Sequence, residues 1–526
     1  MTEREQYIAR VKRLHSFIKP YDYASFVKNA IEYLSTNIGQ DDYRKQRWTV
    51  ALACKWVCLH STGTRQVSKE RFIDICNKVY DLQPYAAELE KGKEQGLLSL
   101  RPLFLNQYWY QTKNISALLY LSRCHMLMCK KPKAQNYLAQ SFESTSGIAL
   151  ENFFMMAYVL SKKLFNLESS AFVDINISDI VFMFLPNVPA NEAFTFVNLI
   201  SSKVSELPTF FRKYEDNNYR TQEYFETTPF AYKPFIFVDG RLTSLSPKIA
   251  INGITELITD FFIKQDAKRF VQNYSREYET YIDEIFRSSN IDYLAELELK
   301  KLYEENEIKG KCVDFLLGKN ATIFIDAKAI QPNNVSLLAS ANRNLYRDKL
   351  KSSFIKGVWQ IQETCVNLED ISSKNTNTFG LVVTHKDFYF TSAKRYEEQI
   401  DPGLSEKIYE KYDRLAVPLE RIFFVTIRDL EILLTAFEDE AELMSFLTSV
   451  EEQESTQAGR TINFSHHIEE GIPNSKWMCH ESLKEFFNLE AKLENVWLHR
   501  SKRIWANKVD TLYRVTSEFN AKLENK

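Results

Sequence analysis

Between Lys311 and Ala329 the chain reads KCVDFLLGKNATIFIDAKA. Two short apolar runs, Cys312 to Leu317 and Ala321 to Ile325, flank the polar triplet Gly318-Lys319-Asn320. That pattern predicts two strands joined by a tight turn. Three charges interrupt the strands: Asp314 in the first, and Asp326 and Lys328 at the end of the second. Burying an unpaired carboxylate or ammonium costs roughly several kcal/mol. Charges in a strand of core character therefore point to chemistry rather than packing.

Side chains alternate along a strand, so Asp326 and Lys328 share one face. If the turn takes up about five residues, an ordinary hairpin loop length, Asp314 falls opposite Asp326. Two carboxylates with room for water make a hard oxygen site suited to Mg2+ or Mn2+. A lysine beside such an ion can orient water and offset charge on a phosphoryl oxygen. Other acid-x-Lys triplets occur at Glu298-Leu299-Lys300, Glu307-Ile308-Lys309 and Glu490-Ala491-Lys492. None of them ends an apolar strand-like run with an Asp one hairpin away.

Asp314 followed by Asp326-Ala327-Lys328 resembles the PD-(D/E)XK nuclease superfamily, over residues 268 to 435. Val313 stands where the pattern's name has proline. The resemblance implies a restriction-endonuclease-like core and Mg2+-dependent endonuclease activity, with Asp314 and Asp326 as metal ligands and Lys328 as the catalytic lysine. In that superfamily the first helix often carries a metal-associated Glu; Glu279, in Tyr278-Glu279-Thr280-Tyr281-Ile282, matches it. Glu296 and Glu298 are rivals, because Leu297 and Leu299 alternate with them as in a first core strand. Many members place a Gln on the helix after the acid-x-Lys strand, where it contacts substrate or the metal's water. Gln360, in Gly357-Val358-Trp359-Gln360, matches, with Gln362 as the second choice.

At 526 residues, with 44% hydrophobic and 13% aromatic content, the chain has ample material for several cores. The net charge of -2 gives no whole-chain attraction to nucleic acid, so any groove is a local basic patch or depends on metal. No C-x-x-C pair is present. Cys54 and Cys58 with His60, and Cys124 and Cys129 with His125, lie in apolar helical runs, which favours buried thiols over zinc. The opening MTEREQY is unlike a signal peptide, and no apolar run reaches the roughly 18 residues of a span, so a cytoplasmic protein without membrane contact is expected. Walker, G-x-S-x-G, H-E-x-x-H and dinucleotide-binding motifs are missing.

Residues 1–230 read as a mostly helical region for sensing or selecting substrate. Asp22 is a predicted N-cap with Gly39 beyond the helix end, Arg44 to His60 a strongly apolar helix, and Ser68 the start of another. Residues 115–129 and 148–165 continue the pattern. Helix is also predicted over Asn191 to Leu207, and a tyrosine-rich loop or lid over Tyr214 to Thr228. Residues 231–266 read as a hairpin turning at Asp239-Gly240, then a connecting helix. Residues 267–450 form the nuclease-like domain. It comprises a helix from Lys268 to Phe286, the charged hairpin, a polar loop from Gln331 to Asn344 and a helix to Leu368. Strands follow near 380–384, with His385 and Lys386 at a solvated exit, and near 421–427. Asp429 and Glu431 read as N-terminal charges of the next helix.

Residues 451–526 read as a charged linker at Glu451 to Ser455 and a helical extension. In that tail Arg500, Lys502 and Arg503, interleaved with Trp497 and Trp505, are candidate nucleic-acid contacts. An amphipathic helix with its tryptophans turned inward accounts for the same pattern.

The expected fold is an α/β core, a small mixed sheet flanked by helices, with a large mostly α-helical N-terminal region and a helical C-terminal extension. The expected function is metal-dependent hydrolysis of phosphodiester bonds in DNA or RNA, tRNA included. By domain layout and analogy, a toxic antiviral nuclease released by a phage protein bound to the N-terminal region fits. The alternatives are a restriction- or repair-type DNA endonuclease, and an inactive nucleic-acid-binding or scaffold protein.

Overall fold

The structure is a computed structural model that describes residues 2–35, 46–87, 101–102, 115–130, 132–167, 172–318, 322–329, 342–369, 377–473, 476 and 481–525. Gly39, the turn at 319–321 and most of the polar loop from Gln331 lie outside the described residues. The chain divides into two compact units. The first holds Met1–Gln265 and Glu485–Lys526; the second holds Asp266–Asn333 and Asn342–Lys484. The C-terminal helices therefore belong with the N-terminal region. No described helix is long and apolar enough to cross a membrane.

Helix Tyr23–Ser35 starts where the sequence places it: Asp22 Oδ2 accepts from the Ser25 N–H at 2.8 Å. Ser68 does the same for helix Lys69–Tyr80. Helix Arg47–His60 is buried around nearly its whole circumference, Lys55 and Trp56 included. The stretch 214–228 is the loop of the two readings, irregular apart from one 3-10 turn at Thr221–Tyr224, and its second half is packed in. Thr221, Glu223, Tyr224 and Phe225 are buried, because Glu223 Oε1 receives both the Lys55 ammonium (2.6 Å) and the Trp56 indole N–H (3.1 Å).

A half-buried polar pair lies nearby. The rings of His15 and His60 stack with centroids 3.7 Å apart. Burial, reinforced by His60, lowers His15 to about 3. His15 is therefore neutral in the fold, while the unfolded chain takes up a proton below about 6.5. Stability should fall as pH drops from about 6.5 toward 3, by about 1 kcal/mol per pH unit from this group. Urea midpoints across that window should fall less steeply in His15→Gln than in the parent chain.

The first unit carries a four-stranded sheet, ordered β1-β4-β3-β2. Its strands are β1 (Val173–Asn176), β2 (Ser201–Lys203), β3 (Phe235–Val238) and β4 (Arg241–Ser244). Asp239 (φ 48°) and Gly240 (φ 70°) form the predicted two-residue turn of β3 and β4. The helix expected over 191–207 ends at Ile200 instead. Ser201–Lys203 then pairs in parallel with Phe235–Phe237, a contact no local pattern announces.

The helical run Pro247–Ser288 breaks at Asp266, where the backbone turns extended (φ −154°, ψ 84°). Asp266 Oδ1 accepts from the Arg269 N–H at 3.0 Å, capping the part that begins the second unit. That unit is built on a five-stranded mixed sheet in the order β5-β6-β7-β8-β9. The strands are β5 (Tyr293–Ala295), β6 (Phe315–Leu317), β7 (Ile323–Lys328), β8 (Phe379–Thr384) and β9 (Ile422–Thr426). The pairs β5/β6 and β6/β7 are antiparallel, and β7/β8 and β8/β9 parallel. Helix Lys356–Leu368 lies in the β7–β8 crossover. Strand β8 is buried throughout, as expected of a strand covered on both faces.

Four further expectations change. Glu451 to Ser455 is no linker but the last turn of helix Glu440–Ser455, where Glu451 pairs with Arg421 (2.9 Å) and Glu454 with Arg395 (3.0 Å). His385 is not solvated: it is buried, with the Tyr274 hydroxyl 3.1 Å from Nε2. Asp429 is an N-terminal helix charge, closing a capping box with Thr426, but Glu431 is fully buried, accepting from the hydroxyls of Tyr281 and Ser482. Glu296 and Glu298 open helix Glu296–Glu305 rather than lying in a strand, which leaves Leu297 73% exposed.

Candidate active site

Strand β7 delivers Asp326 and Lys328 to one face, two residues apart. Phe315 pairs with Ile325; one step further, that register sets Asp314 opposite Asp326. Asp314 itself precedes β6, a residue outside the ladder. There it replaces a strand partner: its Oδ2 accepts from the Ala327 N–H at 2.6 Å. The sequence thus brings the three side chains together through a short hairpin and the period of two.

Asp326 is completely buried. The Lys328 ammonium forms an ion pair with its Oδ2, and among the described residues no further donor meets either oxygen. Lys328 Nζ also donates to Gln360 Oε1 at 3.3 Å. The Gln360 amide is fixed in turn, because its Nε2 donates to Cys312 O at 3.1 Å. Gln360 therefore positions the lysine. Gln362, the second choice, lies outside the site, with its Oε1 accepting from the N–H groups of Ala416 (2.9 Å) and Val417 (3.1 Å).

Burial raises the Asp314 carboxyl above the ordinary carboxylate range, and the neighbouring Asp326 adds to the shift. Asp326 is raised by burial too, opposed by Lys328. Neither shift is what a stabilising surface ion pair produces. Two buried carboxylates side by side ionise together only with positive charge between or beside them. The under-coordinated oxygens of Asp326 beside Asp314 suit a hard divalent cation.

Glu279 is half-buried on the helix after Asp266. It is raised by burial, then by the charge of Glu296, while Lys328 opposes the shift. Glu279 thus faces the pair electrostatically. Among the described residues, however, Glu279, Asp314 and Asp326 do not offer three oxygens within 4.8 Å of one another. Asp314 and Asp326 are the two carboxylates that meet across the hairpin, and Glu279 does not close a three-oxygen cluster with them at this spacing. Of the rivals, Glu296 senses the site, its charge acting on both Glu279 and Asp326. Glu298 is spent on the Ala295 N–H at 2.8 Å.

Two residues escape a search for acids. The positive charge of Lys356 acts on Asp326. Its i, i+4 spacing to Gln360 was the available signal, since both occupy one helix face. Gly357 lets that helix approach: a Cβ there would lie 2.9 Å from Asp326 Oδ2 and 3.0 Å from both Val382 methyls. Gly357→Ala is therefore expected to cost about 1–3 kcal/mol, the usual range for overpacking, read as a lower urea midpoint.

Arg500, Lys502 and Arg503 are exposed, but they belong to the other unit. The tryptophans interleaved with them turn inward. Trp497 is buried against Phe184, and the Trp505 indole N–H donates to Phe182 O at 3.2 Å. The tail thus has the amphipathic packing, without a stacking surface from these rings.

Neither a scan against protein-family models nor searches of curated proteins and of solved structures returned a match.

Proposed function

We propose that the second unit is a PD-(D/E)XK-like, restriction-endonuclease-like phosphodiesterase acting on nucleic acid, with Asp314 and Asp326 holding Mg2+ or Mn2+. The observation that carries this is the fully buried Asp326 carboxylate, met among the described residues only by the Lys328 ammonium and lying across the hairpin from Asp314. A structural role has little to recommend it, since an apolar pair would serve stability at least as well. The mixed sheet, with its hairpin leading into a parallel crossover, supports the fold assignment.

A bound Mg2+ would polarise a phosphoryl oxygen and lower the pKa of its water. The chain's own residues do the rest. The Ala327 N–H fixes one oxygen of Asp314, turning that carboxylate to the site. Lys328, aimed by Gln360, offsets negative charge as it gathers on the phosphorus oxygens. Glu279 and Glu296 add negative charge that favours a cation, and Lys356 adds positive charge that would attract a phosphate. The first unit, with its own sheet and helices, selects the substrate or responds to a trigger such as a phage protein.

The test is incubation of the purified full chain with plasmid and with tRNA, in Mg2+ and in chelator. Cleavage of either substrate in Mg2+ alone, lost in Asp326→Ala, is the expected result. If both stay intact, extract of infected cells is added. Intact substrates there too would overturn the proposal and favour a non-catalytic binding role.

A further inference from the structure

We propose that His125, Cys129 and Glu151 form a zinc-binding site in the first unit, separate from the aspartate pair and independent of the phosphodiesterase proposal. His125 ends helix Ile115–His125. Cys129 follows four residues later in the π-helical turn Met126–Lys130, a distortion often found at functional sites. Glu151 comes from the first turn of helix Leu150–Asn166. One ligand atom from each lies within 4.8 Å of the other two. A nitrogen, a sulfur and a carboxylate oxygen make a borderline-soft set that suits Zn2+ and poorly suits Mg2+.

The surroundings are those of a metal-bound imidazole. His125 Nδ1 lies 2.8 Å from Glu485 Oε1, and Nε2 lies 2.7 Å from Glu151 Oε2. If Nδ1–H donates to Glu485, the Nε2 lone pair is free for an ion shared with Glu151 and Cys129. That is the carboxylate–histidine–metal relay that fixes tautomer and ring orientation. Both carboxylates are themselves held, Glu485 by Lys130 and Glu151 Oε1 by Lys492 Nζ at 2.7 Å. His125 and Cys129 are buried, whereas the Glu151 side chain is 48% exposed, so an ion enters from the Glu151 side. On binding, the Cys129 thiol gives up its proton to solvent, and Nε2, unprotonated in this tautomer, supplies its lone pair. Three protein ligands leave a fourth position for water. Glu485 and Lys492 also tie helix Glu481–Lys492 to the cluster, so the ion would staple the C-terminal segment onto the N-terminal helices.

The experiment uses the full chain, stripped with chelator and then titrated with Zn2+ and, separately, Co2+. One tightly held Zn2+ per chain is expected, together with a thiolate-to-cobalt charge-transfer band in the near ultraviolet. Cys129→Ser should lose the band, and Glu485→Gln should keep it while binding Zn2+ about 10–100-fold more weakly. Cys58→Ser, outside the cluster, should match the parent. Should Cys129→Ser fail to fold, Glu151→Gln at the exposed ligand decides, with weakened Zn2+ binding expected. No cobalt band in the parent chain, a band that persists in Cys129→Ser, or Zn2+ affinity unchanged in Glu151→Gln would overturn the assignment.

Discussion

Asp326→Asn is expected to lower metal-dependent cleavage by about a hundred- to a thousandfold, the scale on which enzymes lose rate when a charge-stabilising group goes, while the urea midpoint holds or rises. The two halves have one cause. Asparagine keeps the shape of the side chain, so the packing against Gly357 and Val382 is undisturbed. It cannot carry the charge whose burial raises the carboxyl of Asp326. Lys328 keeps the Gln360 amide as a partner and is not fully buried, so it is not stranded. Such a trade, function lost and stability kept, marks a group retained for chemistry. A variant that unfolds more readily while keeping its activity would place Asp326 among the structural charges.

The largest effect on stability should come from the first unit. Lys55→Met is expected to destabilise the chain by about 3–5 kcal/mol, the cost of leaving one member of a buried ion pair without its partner. Both side chains are about 5% exposed or less. Without Lys55, the Glu223 carboxylate would keep only the Trp56 indole N–H among its present donors. Lys55→Met combined with Glu223→Gln should recover much of the loss, because the amide oxygen still accepts from Trp56 and no charge remains buried. Urea unfolding of the four chains in a double-mutant cycle measures the coupling. Near-neutral Lys55→Met would mean that water reaches Glu223.

What the sequence made legible follows from where local rules suffice. Asp314, Asp326 and Lys328 stood out because charges are anomalous in apolar strands, and alternation with a short hairpin sets their faces. Asp239-Gly240 was readable because few residue pairs accept two positive φ values. Glu296 was misjudged because Leu297 and Leu299 imitate a strand, whereas the chain starts a helix there and spends Glu298 on capping. Ser201–Lys203 has no strand character of its own and takes it from β3. The charged run ending at Ser455 looked like a linker because its ion-pair partners, Arg395 and Arg421, are 59 and 30 residues away. His125 meets Glu485 across 360 residues, a distance that no spacing rule spans.

The central claim is that the two aspartates take up a divalent ion, and Mn2+ binding measures that without choosing a substrate. Electron paramagnetic resonance of free Mn2+, titrated with the full chain and with Asp314→Asn and Asp326→Asn, reads it directly. The account predicts that the parent chain withdraws one or two Mn2+ ions from solution and that each variant loses that uptake. A parent chain that leaves the free Mn2+ signal unchanged, or variants that bind as the parent does, would contradict it.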